Sequence, residues 1–385
     1  MYKRQVVAVG DTVKMGQIIG EASGFISANI VSSVSGEVKA VEPRLLSSGA
    51  KATCVVIAND GEYQPVEGLG ADRDYTQLTK EEIRQIIKDA GIVGMGGAGF
   101  PTNVKVTPKN EEEIDYVIVN GAECEPYLTS DYRQMLERSE EIVGGLKVIL
   151  HIFDKAKGLI CIEDNKPEAI AKMQEAVKDE DRIEVKVLKT KYPQGGERTL
   201  ISAATGRKIY SAKLPADAGC IVDNVSTVIA IYRAVCKQTP LITRVVTLTG
   251  EAFNTPINVD VRIGCSHAEL VEEGDGFKEE PKKIISGGPM MGFAMFDLNV
   301  PVTKTSSSIL AMTKDEVAEN EPTPCIRCGR CVEACPGNLV PQKMAEAAMN
   351  KDYDTFVKLN GMECYECGSC TYVCPCLLYT SPSPR

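Results

Sequence analysis

Two cysteine runs of one pattern stand near the carboxyl end of the chain: Cys325-x-x-Cys328-x-x-Cys331-x-x-x-Cys335-Pro336 and Cys364-x-x-Cys367-x-x-Cys370-x-x-x-Cys374-Pro375. A thiolate at every third residue, then a fourth before proline, lets three sulfurs wrap one corner of an iron–sulfur cubane while the fourth reaches the other cluster. The pattern assigns Cys325, Cys328, Cys331 and Cys374 to one [4Fe–4S] centre, and Cys364, Cys367, Cys370 and Cys335 to a second. Structural zinc prefers paired C-x-x-C units or mixed Cys/His ligation, and neither run has that form. Disulfides at such close spacing would be strained, and they suit a secreted chain, for which no signal peptide is visible. The spacing therefore points to electron transfer.

At 385 residues the chain has room for about two to four domains. A formal net charge of -10 and a pI near 5.1 leave no basic face to displace counterions from phosphates, so a nucleic-acid partner is set aside. No stretch reaches the ~18 apolar residues of a membrane span. The best candidate, Ile142 to Phe153, is short and carries Lys147 and His151. Seven further cysteines (54, 124, 161, 220, 236, 265, 376) sit mostly in apolar segments, as buried thiols of a reducing cytoplasm do. With only His151 and His267 and no tryptophan, histidine acid–base chemistry is not expected, and both histidines read as structural. Met1 to Gln5 leads into a β pattern already under way, and Leu377 to Arg385 is a Ser/Pro tail. Both ends read as those of a truncated fragment.

Residues 6 to 42 hold two short β units, Val9 to Gln17 and Val34 to Val41, with glycine-bearing turns. They resemble half of a lipoyl- or biotinyl-carrier barrel. Phe25 to Val34 lacks the modifiable lysine of such carriers, so a docking or packing module is expected. A capping box from Thr79 to Glu82 opens a helix that Gly91 stops. The glycine loop Gly94-Met-Gly96-Gly97-Ala-Gly99-Phe-Pro101 follows. It satisfies G-x-G-x-x-G formally, but the dinucleotide fingerprint needs a strand before it and a helix after it. By itself the loop says only that backbone amides are laid bare. Tyr116 to Asn120 then reads as a strand, Asp131 to Leu150 as a helix, Gly158 to Ile162 as a strand, Pro167 to Val177 as a helix and Ile183 to Leu188 as a strand. Residues 244 to 263 switch to β alternation, and Thr303 to Pro324 reads as a polar linker.

The segments GIVGMGGAGFPTNVK (91 to 105) and VIVNGAECEP (117 to 126) resemble the flavin and NADH loops of the NADH-binding flavoprotein subunit of respiratory complex I. Tyr192-Pro-Gln-Gly195-Gly196-Glu197 and Asp223-Asn224-Val-Ser-Thr227 follow in the same order, so the similarity covers roughly residues 75 to 290. With the carrier-like amino end and the cysteine runs, the layout resembles the family of C subunits of Rnf-type electron transport complexes. The resemblance implies an α/β multidomain chain: a carrier-like β barrel-sandwich (1–65), an α/β FMN/NADH-binding core (75–240), a small soluble-ligand-binding β-grasp domain (241–300) and an α-helical dicluster ferredoxin domain (320–376).

By position, the resemblance implies that Gly94, Gly96, Gly97 and Gly99 bring backbone amides to FMN and NADH, and that Lys105 neutralises the flavin phosphate. Asn120, Glu123 and Glu125 would line the flavin and nicotinamide pocket; Tyr192, Gly195, Glu197, Asn224 and Thr227 would close it. Ala122 stands where complex I proteins carry an acid, and Gly196-Glu197 where they carry paired acids, which weakens the nicotinamide contacts more than the flavin contacts. The implied function is the peripheral NADH-oxidising subunit of an ion-translocating ferredoxin:NAD oxidoreductase, passing electrons between NADH, FMN and two [4Fe–4S] clusters. It would sit on the cytoplasmic side of the bacterial membrane, with integral membrane subunits and a ferredoxin-type subunit as partners. Two other readings stand beside it: a soluble NADH-dependent cobalamin reductase, and a cluster-bearing wiring scaffold without nicotinamide chemistry.

Overall fold

The computed structural model describes residues 3–315 and 318–377. The tail beyond Leu377 lies outside the described residues, as do Met1 and Tyr2. The amino-terminal module has six strands: β1 (Lys3–Gln5), β2 (Thr12–Val13), β3 (Ile18–Ala22), β4 (Ile30–Val31), β5 (Gly36–Leu45) and β6 (Lys51–Asn59). They form two three-stranded sheets, ordered β1-β3-β4 and β2-β5-β6, around Val7, Val13, Ile19 and Val38. The loop after β3 is held to the rest of the protein at Asn29. Its side-chain amide donates to Asp89 O (3.4 Å), and its carbonyl accepts from Lys304 Nζ (2.6 Å). Arg262 adds a hydrogen bond to Ser33 O (2.8 Å) and stacks its guanidinium over the Tyr63 ring.

The core runs α1 (Lys80–Asp89), α2 (Thr102–Lys105), β7 (Tyr116–Gly121), α3 (Ser130–Glu137), α4 (Ser139–Ile152), β8 (Lys157–Glu163), α5 (Pro167–Ala176), β9 (Ile183–Leu188), α6 (Glu197–Thr205), β10 (Cys220–Asn224) and α7 (Val225–Cys236). The capping box at α1 is formed: Thr79 Oγ1 accepts from Glu82 N (3.2 Å), and Glu82 Oε2 accepts from Thr79 N (2.7 Å). All four core strands are parallel, in the order β10-β7-β8-β9. Such strands are buried on both faces, which is why they read as apolar runs. Val117, Val119, Ile160 and Ile162 pack with the residues of α1, α4, α5 and α7. Ile118, Leu159, Cys161 and Val222 face Leu200 and Ile201 of α6 on the other side.

The expected helix over 131–150 is two helices, broken at Arg138 (φ -129°, ψ 31°), which reaches across to Asp260 (2.6 Å). Within α4, Gly145 lets α7 come close: a Cβ there would lie 2.1 Å from Val228 O. The strand order reverses between β7 and β10, so their carboxyl ends open a crevice, the place where ligands bind in open parallel sheets.

The third unit holds β11 (Thr243–Thr249), β12 (Ile257–Arg262), α8 (His267–Glu273), β13 (Lys283–Ser286), β14 (Phe293–Met295) and β15 (Ser308–Met312). Its sheet order is β12-β11-β15-β13-β14. This corrects the expected boundary at 300 and the linker from Thr303. β15 is the buried central strand, parallel to β11 and antiparallel to β13. A short apolar run, Ile309-Leu-Ala-Met312, is too brief to signal a strand by alternation, and only pairing on both edges reveals it. His267 is buried with Nδ1 2.8 Å from Val300 O, and His151 lies 3.2 Å from Leu78 O and edge-on to Tyr75. Both are structural.

The carboxyl unit contains α9 (Arg330–Glu333), α10 (Pro341–Met349), α11 (Tyr353–Lys358) and α12 (Ser369–Tyr372). The two cysteine runs repeat in backbone as well as in sequence. Arg327 and Glu366 take φ of 55° and 53°, Gly329 and Gly368 take 83° and 79°, and α9 and α12 follow at equivalent positions. Among the described residues no helix is long and apolar enough to cross a membrane.

Candidate functional site

The crevice between β7 and β10 gathers the glycine loop and the residues singled out with it. Asn224, the last residue of β10, is the register partner of Asn120, the penultimate residue of β7. Asn224 caps α7, accepting from Ser226 N (2.9 Å) and donating through Nδ2 to Asp131 Oδ2 (2.7 Å). The loop lies against this cap: Met95 N donates to Thr227 Oγ1 (3.0 Å), and a Cβ on Gly96 would stand 2.9 Å from the Asn224 side chain. Gly99 takes φ 70°, and Gly94 has Lys105 Nζ 3.9 Å from where its Cβ would be. Gly97 is different. No protein atom lies within 4 Å of its Cβ position, so protein packing does not require the glycine.

On the other side, Asn120 Nδ2 donates to Gly195 O (2.9 Å), and a Cβ on Gly195 would stand 2.3 Å from Ala122 O. Gly195 N donates to Cys124 Sγ (3.3 Å), whose thiol burial pushes up to about 11. Lys105 donates to Val222 O (2.6 Å) and lies between two acids, 3.6 Å from Asp223 and 3.8 Å from Glu197 at the start of α6. Asp223 is fully buried and neither carboxylate oxygen has a hydrogen-bond partner. Burial raises its carboxyl above the usual range, with Lys105 pulling it back and Glu197 adding to the rise. Asp223 opens the Asp223-Asn224-Val-Ser-Thr227 segment, yet the resemblance gives it no role at the site. An acid closing the apolar run Cys220-Ile-Val222 is the available signal, because a buried charge needs a partner.

Glu123 and Glu125 are engaged within the protein. Glu123 caps α3, accepting from Asp131 N (2.8 Å) and Tyr132 N (3.2 Å). Its carboxyl is raised, first by burial and then by the adjacent Asp131. Asp131 faces the buried Arg244 of β11. Glu125 accepts from Met290 N (2.6 Å) and Met291 N (3.0 Å), with Gly288 packed so closely that a Cβ would overlap the carboxylate. Tyr192 points out of the core to the cysteine domain, its hydroxyl donating to Cys367 O (2.7 Å).

The residues present fit a flavin mononucleotide. Backbone opens at Gly97, a cation lies under the loop at Lys105, and Asp223 and Gln194 Oε1 offer buried acceptors without partners for ligand hydroxyl groups. A cavity of about 590 Å³ bordered by Arg207, Lys213 and Gly219 lies elsewhere, at the amino end of β10, and none of the residues above lines it.

The cysteine runs fit iron–sulfur centres. None of the fifteen cysteines forms a disulfide. The amide of the residue two after each leading cysteine points at its sulfur, Arg327 N to Cys325 Sγ (3.4 Å) and Glu366 N to Cys364 Sγ (3.3 Å). Leu339 N does the same for Cys335 (3.4 Å). Such donors stabilise ligating sulfur. Cys370, Cys367 and Cys335 all lie close enough to act on the Cys364 thiol, which burial chiefly raises. Cys325 and Cys328 are exposed. Among the described residues no three His, Cys, Asp or Glu side chains converge as on a single metal ion.

Comparison with known proteins finds family matches in three segments. Residues 2–62 match the family described as RnfC barrel sandwich hybrid domain, 87–233 the Nuo51 FMN-binding domain and 324–377 the 4Fe-4S dicluster domain. The C subunit of a proton-translocating ferredoxin:NAD(+) oxidoreductase complex from Clostridium ljungdahlii is 48% identical over 88% of this chain and 74% of its own length. The Na(+)-translocating counterpart of Acetobacterium woodii is 43% identical over 93% and 81%. The C subunit of an ion-translocating oxidoreductase complex from Vibrio cholerae is 41% identical over 92% of this chain and 46% of its own length. An NAD+-reducing [NiFe]-hydrogenase chain shares the fold at TM-score 0.56 and 17% identity, over 76% of this chain and 60% of its own. With three segments matched in order and relatives of this identity over most of its length, the chain belongs to the family of C subunits of ion-translocating ferredoxin:NAD(+) oxidoreductase complexes.

Proposed function

We propose that the chain is the peripheral NADH-linked subunit of such a complex, passing electrons between NADH, FMN and two [4Fe–4S] centres. It would be held on the cytoplasmic face of the bacterial membrane by integral subunits, with a ferredoxin-type subunit as its electron partner. One observation carries the reading. The crevice that fits a flavin and the loop bearing Cys367 are joined directly, through the Tyr192 hydroxyl. Bound FMN supplies the exchange between a two-electron hydride and single electrons.

The chain's own residues bind and orient. The glycine loop offers amides, Lys105 offers positive charge to a phosphate, and Asn120 and Asn224 set the two walls of the crevice. Glu123 and Glu125 fix the loop after β7 against α3 and against residues 288–291, which gives the nicotinamide side a rigid floor. The eight cysteines of the two runs would hold the cubanes, four each.

The test is the anaerobic absorption spectrum of the FMN-reconstituted protein before and after one equivalent of NADH, with iron assayed alongside. Bleaching of flavin and cluster bands with about eight irons per chain is the expected result. A second reading, a wiring scaffold without nicotinamide chemistry, is favoured by the engagement of both acids with the chain's own backbone and by Ala122 in place of an acid. It predicts iron and sulfide without bleaching by NADH.

A further inference from the structure

The two cysteine sets differ in how they meet the flavin-binding core. The loop of the second run is fastened to it at several points. Tyr192 donates to Cys367 O (2.7 Å), and Arg198, in the first turn of α6, forms an ion pair with Glu363 and donates to its carbonyl (3.3 Å). The same guanidinium lies 4.5 Å from the centre of the Tyr365 ring. Ser211 N and Oγ donate to the Glu363 carboxylate (3.0 and 2.8 Å). Gly368 approaches Met290 O, on the loop that binds Glu125. The first run instead faces outward: Cys325 and Cys328 are exposed and Ile326 between them is 67% exposed.

We infer that the centre held by Cys364, Cys367, Cys370 and Cys335 is the one that exchanges electrons directly with the flavin, that the centre of the first run meets the outside partner, and that Arg198, Glu363 and Tyr365 act as a latch setting the first gap. The inference rests on the function proposed above. One NADH gives up two electrons and a proton and becomes NAD+; each cubane takes one electron, so one NADH matches two oxidised centres and the proton goes to solvent. Arg198 acts through the loop and is a positioning residue.

The test uses the full chain in three forms. Cys328→Ala keeps the second centre and Cys367→Ala keeps the first, each verified by iron content and by reduction with dithionite. On NADH addition the remaining centre of Cys328→Ala bleaches as in the wild type, whereas that of Cys367→Ala bleaches far more slowly or not at all. Equal rates in the two variants would overturn the assignment. Arg198→Ala, which keeps all eight cysteines, decides the matter where Cys367→Ala fails to hold iron. NADH-driven flavin bleaching stays unchanged, cluster bleaching slows, and the amides of residues 361–372 exchange roughly threefold faster, as loss of a cation–π contact allows. Unchanged exchange and unchanged cluster bleaching would show that there is no latch. Wild-type protein that binds FMN and iron yet never bleaches with NADH would instead refute the proposed function, with the exchange result still reporting on the latch.

Discussion

Replacing Lys105 by Met isolates the one buried charge that the crevice leaves to a single cation. Asp223 is fully buried, its carboxylate has no hydrogen-bond partner, and Lys105 stands 3.6 Å away with a quarter of its side chain exposed. Removing one partner of a buried pair typically costs about 3–5 kcal/mol, because the other charge is left uncompensated. The carboxyl can escape by taking a proton. From an ordinary aspartate value near 3.9, that route costs about 4 kcal/mol at pH 7 and about 2 kcal/mol at pH 5.5, which caps the penalty. Asp223 is already raised in the wild type, so part of this cost is present before mutation. A loss of about 2–3 kcal/mol at pH 7 is therefore expected for Lys105→Met, measured by urea unfolding of the flavin-free protein.

The sign of the pH dependence follows from the same shift. A carboxyl whose folded value lies above its unfolded value binds its proton more tightly when folded. Its penalty is absent below the unfolded value, grows as pH rises, and levels off above the folded value. The defect of Lys105→Met should shrink as pH falls from 7 to 5.5. Asp223→Asn combined with Lys105→Met should recover most of the stability, with a coupling energy of about 2 kcal/mol in the double-mutant cycle. A single mutant costing under about 0.5 kcal/mol, the size of an ordinary surface change, would refute the reasoning. So would a double mutant as unstable as Lys105→Met.

A Cβ at Gly97 meets no protein atom, so for Gly97→Val unfolding should move by no more than about 0.5 kcal/mol while FMN affinity drops about tenfold or more by equilibrium dialysis. Full FMN retention would show that the loop is only a turn. Cys328→Ala should lower iron from about eight to about four per chain, and unchanged iron would refute its assignment as a ligand. Because Glu123 is raised by burial and by Asp131, wild-type stability should fall as pH climbs above about 4.3, by at most about 1.4 kcal/mol per unit from this group. Glu123→Gln should flatten that slope in urea titrations across the range; an unaltered slope would place the shift elsewhere.

Features written in local spacing are legible without any fold. Two cysteine runs with a closing Cys-Pro specify two iron–sulfur centres whatever surrounds them, since ligand spacing is set by the cluster. The capping box at Thr79, the strand at Tyr116 and the helix at Pro167 are equally legible, because burial on both faces or along one stripe leaves a periodic record. Where that record is weak, packing in three dimensions settles the outcome. The apolar run of β15 becomes a central strand only by pairing with β11 and β13. Arg138, at the break between α3 and α4, pairs with Asp260, far along the chain. Asp223 becomes the charge partner of Lys105 only because β10 returns beside β7, and Glu125 turns from an open acid into a bound one only because residues 288–291 reach it from another unit. The attachment of the second cysteine run to Tyr192 and Arg198 spans more than 160 positions of sequence. Such pairings are fixed by how the sheets and loops pack in space, and no local pattern records them.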